Sequence, residues 1–99
     1  MTSPSRAETK VMVLNGNGVS GAAAQVASLI RARGYQVTEV GNAPKTGYAR
    51  TIVEYRPHYR AEALRFRRDL NLTVVAPLDG MTPKQMKGAH LVEILGASR

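Results

Sequence analysis

Gly16-Asn-Gly-Val-Ser-Gly21 spells G-x-G-x-x-G, and Glu39 follows eighteen positions later. Between a strand and a helix, that spacing can wrap a dinucleotide: the glycines let the backbone approach a pyrophosphate, and the acid takes a ribose hydroxyl. Such a fold also needs a third parallel strand reached through a helix. After Glu39 the chain offers Gly41–Arg50 instead, broken by Pro44 and Gly47. The glycines are therefore read first as a tight strand-to-helix turn, with Gly21 letting the Ala-rich segment sit close to a sheet. Dinucleotide binding at Gly16–Gly21 is the minor alternative.

The same turn suggests a smaller site. A helix start offers free backbone N–H groups and a positive dipole end. Asn15, Asn17 and Ser20 flank it, and Lys45, Tyr48 and Arg50 arrive from the next loop. Together these six residues could hold a carboxylate, a phosphate or an amide-rich glycopeptide. The competing reading is structural: Asn15 closes the turn on itself and Asn17 supports a positive φ.

Catalytic sets are missing from the sequence. His58 and His90 have no metal-ligand spacing, and the absence of Cys removes thiolate nucleophiles, disulfides and cysteine zinc sites. Ser20, Ser28 and Ser98 lie in no nucleophile elbow. The acids are scattered singly, with Glu62 and Asp69 spaced to pair with Arg65 along a helix. The expectation is a non-enzyme with no cofactor and no metal.

Charge is the compositional outlier. The 99 residues carry 14 Lys and Arg against 7 acids, a net +7. Half of the cations fall between Lys45 and Arg68, with Arg56, Arg60, Arg65, Arg67 and Arg68 forming a basic patch around a helix. Such a patch either keeps the domain soluble or attracts an anionic partner. Single-stranded nucleic acid is the alternative partner, but one Phe and no Trp make a poor stacking platform.

The elements that must position these groups follow from periodicity. Lys10–Leu14 is apolar on both parities, as in a central strand. A helix follows, capped by Ser20, striped by Ala22, Ala23, Val26, Ala27, Leu29 and Ile30, and stopped at Gly34. Residues 35–40 and 51–56 alternate as strands, and the helix-free loop between them favours an antiparallel hairpin. Tyr59, Ala63, Phe66 and Leu70 fall within about 60° on a helical wheel, giving a second helix. Residues 72–76 and 91–95 complete five strands, with a weak turn or helix over 82–88.

The order β-α-β-β-α-β-β predicts an α/β (α+β) domain: a ferredoxin-like split β-α-β-β-α-β unit with an additional C-terminal strand. Right-handed crossovers put both helices on one sheet face. The helix-free face, carrying one apolar parity of the first strand, is expected to be a dry patch for a protein partner or a second copy.

Val13-Leu-Asn-Gly-Asn-Gly-Val-Ser-Gly21 with its Ala-rich helix, Arg31-Ala-Arg-Gly-Tyr-Gln-Val-Thr38, and Thr51-Ile-Val-Glu-Tyr-Arg-Pro57 resemble the C-terminal domain of the LytR family. The similarity runs from Lys10 to Gly96. It departs at His58, where the family often has Gly, and in the Lys-bearing stretch Thr82–Gly88. The resemblance implies a non-catalytic, extracytoplasmic accessory domain of an actinobacterial-type envelope protein, membrane-anchored through an upstream segment. Its implied partner is peptidoglycan or an anionic wall glycopolymer. On this reading residues 1–9 are a linker or tag, 10–96 the domain and 97–99 a tail.

Overall fold

The computed structural model describes residues 5–98. Its strands are β1 (Lys10–Asn15), β2 (Gln36–Asn42), β3 (Ile52–Tyr55), β4 (Val74–Pro77) and β5 (Leu91–Leu95), and its helices are α1 (Ala22–Ala32) and α2 (Arg60–Leu70). Short 3-10 turns occupy Arg6–Glu8 and Pro83–Met86. The mixed α/β class and the element order are those expected. Among the described residues no helix is long and apolar enough to cross a membrane.

The pairing of strands differs from the split unit. One five-stranded sheet runs β2-β1-β5-β3-β4. β1 pairs directly with β2 and β3 directly with β4, both parallel, so each helix joins two neighbouring strands. β5 fills the centre, parallel to β1 and antiparallel to β3. No β2–β3 hairpin forms, because β1 and β5 stand between those strands. The physical reason lies in β5, whose five residues are all buried and which is apolar on both parities except at Glu93. A strand of that kind is stable only with neighbours on both sides and cover on both faces.

Both helices lie on one face, as expected. Val11, Val13, Val53, Leu91 and Leu95 from the sheet share a core with Ala27 and Ile30 of α1 and Ala63 and Phe66 of α2. Phe66 is fully buried and meets the Tyr35 ring edge-on at 5.0 Å. Burying a side chain of that size contributes about 1.5–3 kcal/mol. Leu29 instead stays exposed, since the buried set Ala23, Val26, Ala27 and Ile30 already fills the i, i+3, i+4, i+7 stripe.

The helix-free face is not the open patch expected of it. Met12, Leu14, Val92 and Ile94 are covered by the chain's own loops, chiefly Ala43 and Tyr48 after β2 and Leu78, Met81, Met86 and Ala89 after β4. The β2–β3 loop crosses this face instead of turning back on its own strand. As a flat apolar surface for a second copy, the face is already occupied.

Both chain ends pack more than a linker and a tail would. Ser5 and Glu8 cap their turn reciprocally, Thr9 is fully buried, and Arg6 forms an ion pair of 2.7 Å with Asp69. At the other end Thr51 N–H donates to Ser98 O at 2.7 Å, and Ala97 N–H to Tyr48 O at 2.9 Å. Residues 1–4 and 99 of the expected linker and tail lie outside the described residues.

Candidate functional site

At the end of β1 the loop Asn15–Ser20 is held by its own asparagines. Asn15 Oδ1 accepts from the N–H groups of Asn17 and Gly18 at 3.0 and 3.1 Å, and its Nδ2 donates to Val19 O at 2.7 Å. Asn17 Oδ1 accepts from Val19 N–H at 2.8 Å, while its Nδ2 donates to Gly96 O at 3.3 Å. The N–H groups of Asn17, Gly18 and Val19 are thus used inside the turn. Ser20 is exposed and is not the cap; Gly21 takes that place at φ 79° with no side-chain cap bond. Asn15 and Asn17 thus serve the turn itself, while Ser20 stands exposed beside the start of α1.

Lys45, Tyr48 and Arg50 do arrive nearby. Tyr48 N–H donates to Gly16 O at 3.3 Å, its half-buried ring packs against the helix-free core, and the Lys45 ammonium stands 5.7 Å from the ring centroid. That separation is a cation–π contact. Arg50 is exposed and its backbone bridges to Ser98.

The basic patch divides. Lys45 lines the groove on the helix-free side, whereas α2 with Arg60, Arg65, Arg67 and Arg68 packs on the other face of the sheet. Arg65 is drawn inward, donating to Thr9 Oγ1 at 3.0 Å and to the Tyr35 hydroxyl at 3.4 Å. Arg56 is half-buried beside His90, its N–H donating to His90 O at 3.1 Å. Only Arg60 and Arg68 of the expected five are fully solvent-facing, so Lys45–Arg68 is not one continuous surface. Glu62, read as a surface ion-pair partner, is buried instead. Asp69 takes Arg6, a residue from the supposed linker.

What the residues do bring together is a groove of about 600 Å³ on the helix-free face. Its floor is Leu14 and Ile94; Pro44, Lys45 and Tyr48 contribute from the loop after β2, and Gly80 and Met81 from the segment after β4. Glu54 and Asp79 supply two carboxylates to the same lining. Glu54 is 8% exposed, and its Oε1 accepts a single long bond of 3.4 Å from Asp79 N–H. Burial pushes its carboxyl above the usual range, the Asp79 charge adds to that, and the Asp79 N–H opposes it. Sequence reasoning passed over Glu54 as a lone acid. Its parity was the available signal: it shares a sheet face with Ile52, on the side away from the helices.

The groove has the size and the mixed lining of a small-ligand pocket, an apolar floor with a few convergent polar groups. Among the described residues no three His, Cys, Asp or Glu side chains are grouped to hold a metal ion. Loops cover the helix-free face at β1, β3 and β5, and the exposed edge strand β2 (Gln36–Asn42) carries no aromatic side chain on which a base could stack.

A family model described as LytR cell envelope-related transcriptional attenuator matches residues 8–95. The fold is similar to the crystal structure of the soluble domain of a conserved hypothetical secreted protein (Rv2700 ortholog) from Mycobacterium marinum, with TM-score 0.71 and 25% identity over 92% of this chain. This chain spans 60% of that one. It is also similar to the solution structure of the C-terminal domain of RV0431, with TM-score 0.54 and 27% identity, covering 98% of this chain and 79% of that one. No curated protein matches.

Proposed function

This chain belongs to the LytR C-terminal domain family, and from that premise we propose that it is an extracytoplasmic accessory domain of a cell-envelope protein, tethered through a segment upstream, that binds the cell wall. The groove over Leu14 and Ile94 carries the reading, because it is a concave, partly apolar site with polar groups converging from three segments. Peptidoglycan or an anionic wall glycopolymer would meet exposed Lys45 at the groove first, with Arg50 exposed in the same loop. The secreted character of the Mycobacterium marinum protein supports the extracytoplasmic placement. The proposed role is retention at the wall.

Sedimentation with insoluble peptidoglycan over a salt series tests the proposal. The protein is expected in the pellet at low salt and increasingly in the supernatant as salt rises, since exposed charges are screened within about 10 Å at 0.1 M. Protein that stays in the supernatant at low salt overturns the reading. A double variant, Lys45→Ala with Arg50→Ala, is expected to reduce pelleting, whereas Arg60→Gln on the opposite sheet face is expected to leave it unchanged.

A further inference from the structure

We propose that the groove on the helix-free face takes the peptide part of the wall, a short peptide bearing a free ammonium and a carboxylate, with Glu54 and Asp79 receiving the ammonium and Lys45 the carboxylate. The inference rests on the wall-binding reading and names the ligand class for the same site. Its basis is the charge arrangement within one lining. Glu54 and Asp79 stand in the groove together, and Lys45 reaches the same cavity from the loop after β2.

Glu54 discriminates among wall components. Glu54 is more than nine-tenths buried with one weak donor to Oε1, so its carboxylate has exchanged most of its water for a single long bond. A ligand ammonium supplies both the charge and the donors, in a bond of the stronger, charge-assisted kind. A neutral sugar hydroxyl supplies a donor without the charge. A phosphate or polyanion supplies neither and would face two acids, so like-charge repulsion keeps the anionic polymer at the Lys45 rim rather than in the groove. A divalent cation would need more ligands than this pair of carboxylates offers. The volume of about 600 Å³ suits a ligand of a few amino-acid units. The floor of Leu14 and Ile94 suits the methyl or methylene groups between its two charges.

The probe is the dipeptide L-Lys-D-Ala, titrated into the ¹⁵N-labelled chain, beside its fully N-acetylated form and the neutral disaccharide chitobiose. Amide shifts are expected to concentrate at Lys45, Glu54, Asp79 and Met81, with affinity at least about fivefold lower for the acetylated peptide and no groove response to chitobiose. Glu54→Gln, which preserves shape and the acceptor for Asp79 N–H, is expected to weaken the dipeptide about tenfold, the effect of one charge-assisted contact. Equal shifts from the acetylated peptide, or stronger ones from chitobiose, overturn the ammonium assignment. If the protein sediments with peptidoglycan yet the dipeptide leaves the groove unmoved, the peptide inference fails while the wall reading stands. If neither occurs, both fail.

Discussion

The ring of Tyr48 occupies the space a side chain on Gly16 would need. A Cβ placed on Gly16 would lie 2.6 Å from Tyr48 Cδ2 and 2.7 Å from the Leu95 carbonyl oxygen. The ring could swing aside, but the carbonyl belongs to the central strand and cannot. Gly16→Ala is therefore expected to cost about 1–3 kcal/mol, the usual penalty of overfilling a packed site, read as a lower urea midpoint at unchanged slope. Gly18 faces open space at φ 75°, so Gly18→Ala is expected to act through its backbone alone. A neutral Gly16→Ala would mean that the turn after β1 does not sit against the Leu95 carbonyl as described.

That contact also marks how far the sequence could be read. The strand-to-helix turn, both helix stripes and the left-handed glycine at position 34 were legible because each depends on residues a few positions apart. The reason for glycine at position 16 was not, since its neighbour arrives from a loop after the next strand. The same limit hid the sheet order. Local alternation made residues 35–40 and 51–56 strands, but their partners are set by β5, whose place in the sheet depends on burying Leu91–Leu95 on both faces. Its double-sided apolar pattern was the one clue to a central position. The burial of Glu54 and Glu62 was hidden for a related reason: acids are presumed solvated, and only the fold shows which ones the packing encloses.

The Arg6–Asp69 pair ties the segment before β1 to the end of α2. The Arg6 guanidinium holds the Asp69 carboxyl below the ordinary aspartate range, against the opposing effect of burial, and the Tyr35 hydroxyl donates to the same carboxylate at 2.6 Å. A carboxyl whose folded-state value is depressed contributes stability that is complete above its unfolded value of about 4 and is lost as pH falls through the folded one. Asp69→Asn is expected to lower the urea midpoint at pH 7, and the gap from wild type is expected to close as pH falls below about 4. Because Arg6 is half-exposed, added salt should narrow the gap at pH 7 as well. A gap that closes with falling pH but does not respond to salt would assign the effect to the Tyr35 hydrogen bond rather than to the Arg6 pair.

His58 stands in a left-handed backbone conformation at φ 75°, between Pro57 and the first turn of α2. Glycine is the residue that this backbone conformation favours. A residue with a Cβ pays roughly 1–2 kcal/mol in that region, and glycine avoids the cost while losing about 0.5–1 kcal/mol more in unfolded-chain entropy. The two terms leave His58→Gly more stable by about 0.5–1 kcal/mol. For a domain near 100 residues, a gain of that size raises Tm by roughly 2–8 °C. Asn71, at φ 57°, makes the comparison: asparagine already tolerates this conformation, so Asn71→Gly is expected to gain less. Thermal melts of the two variants against the parent chain decide it. A fall in Tm for His58→Gly would mean that the imidazole makes stabilising contacts that outweigh the backbone strain.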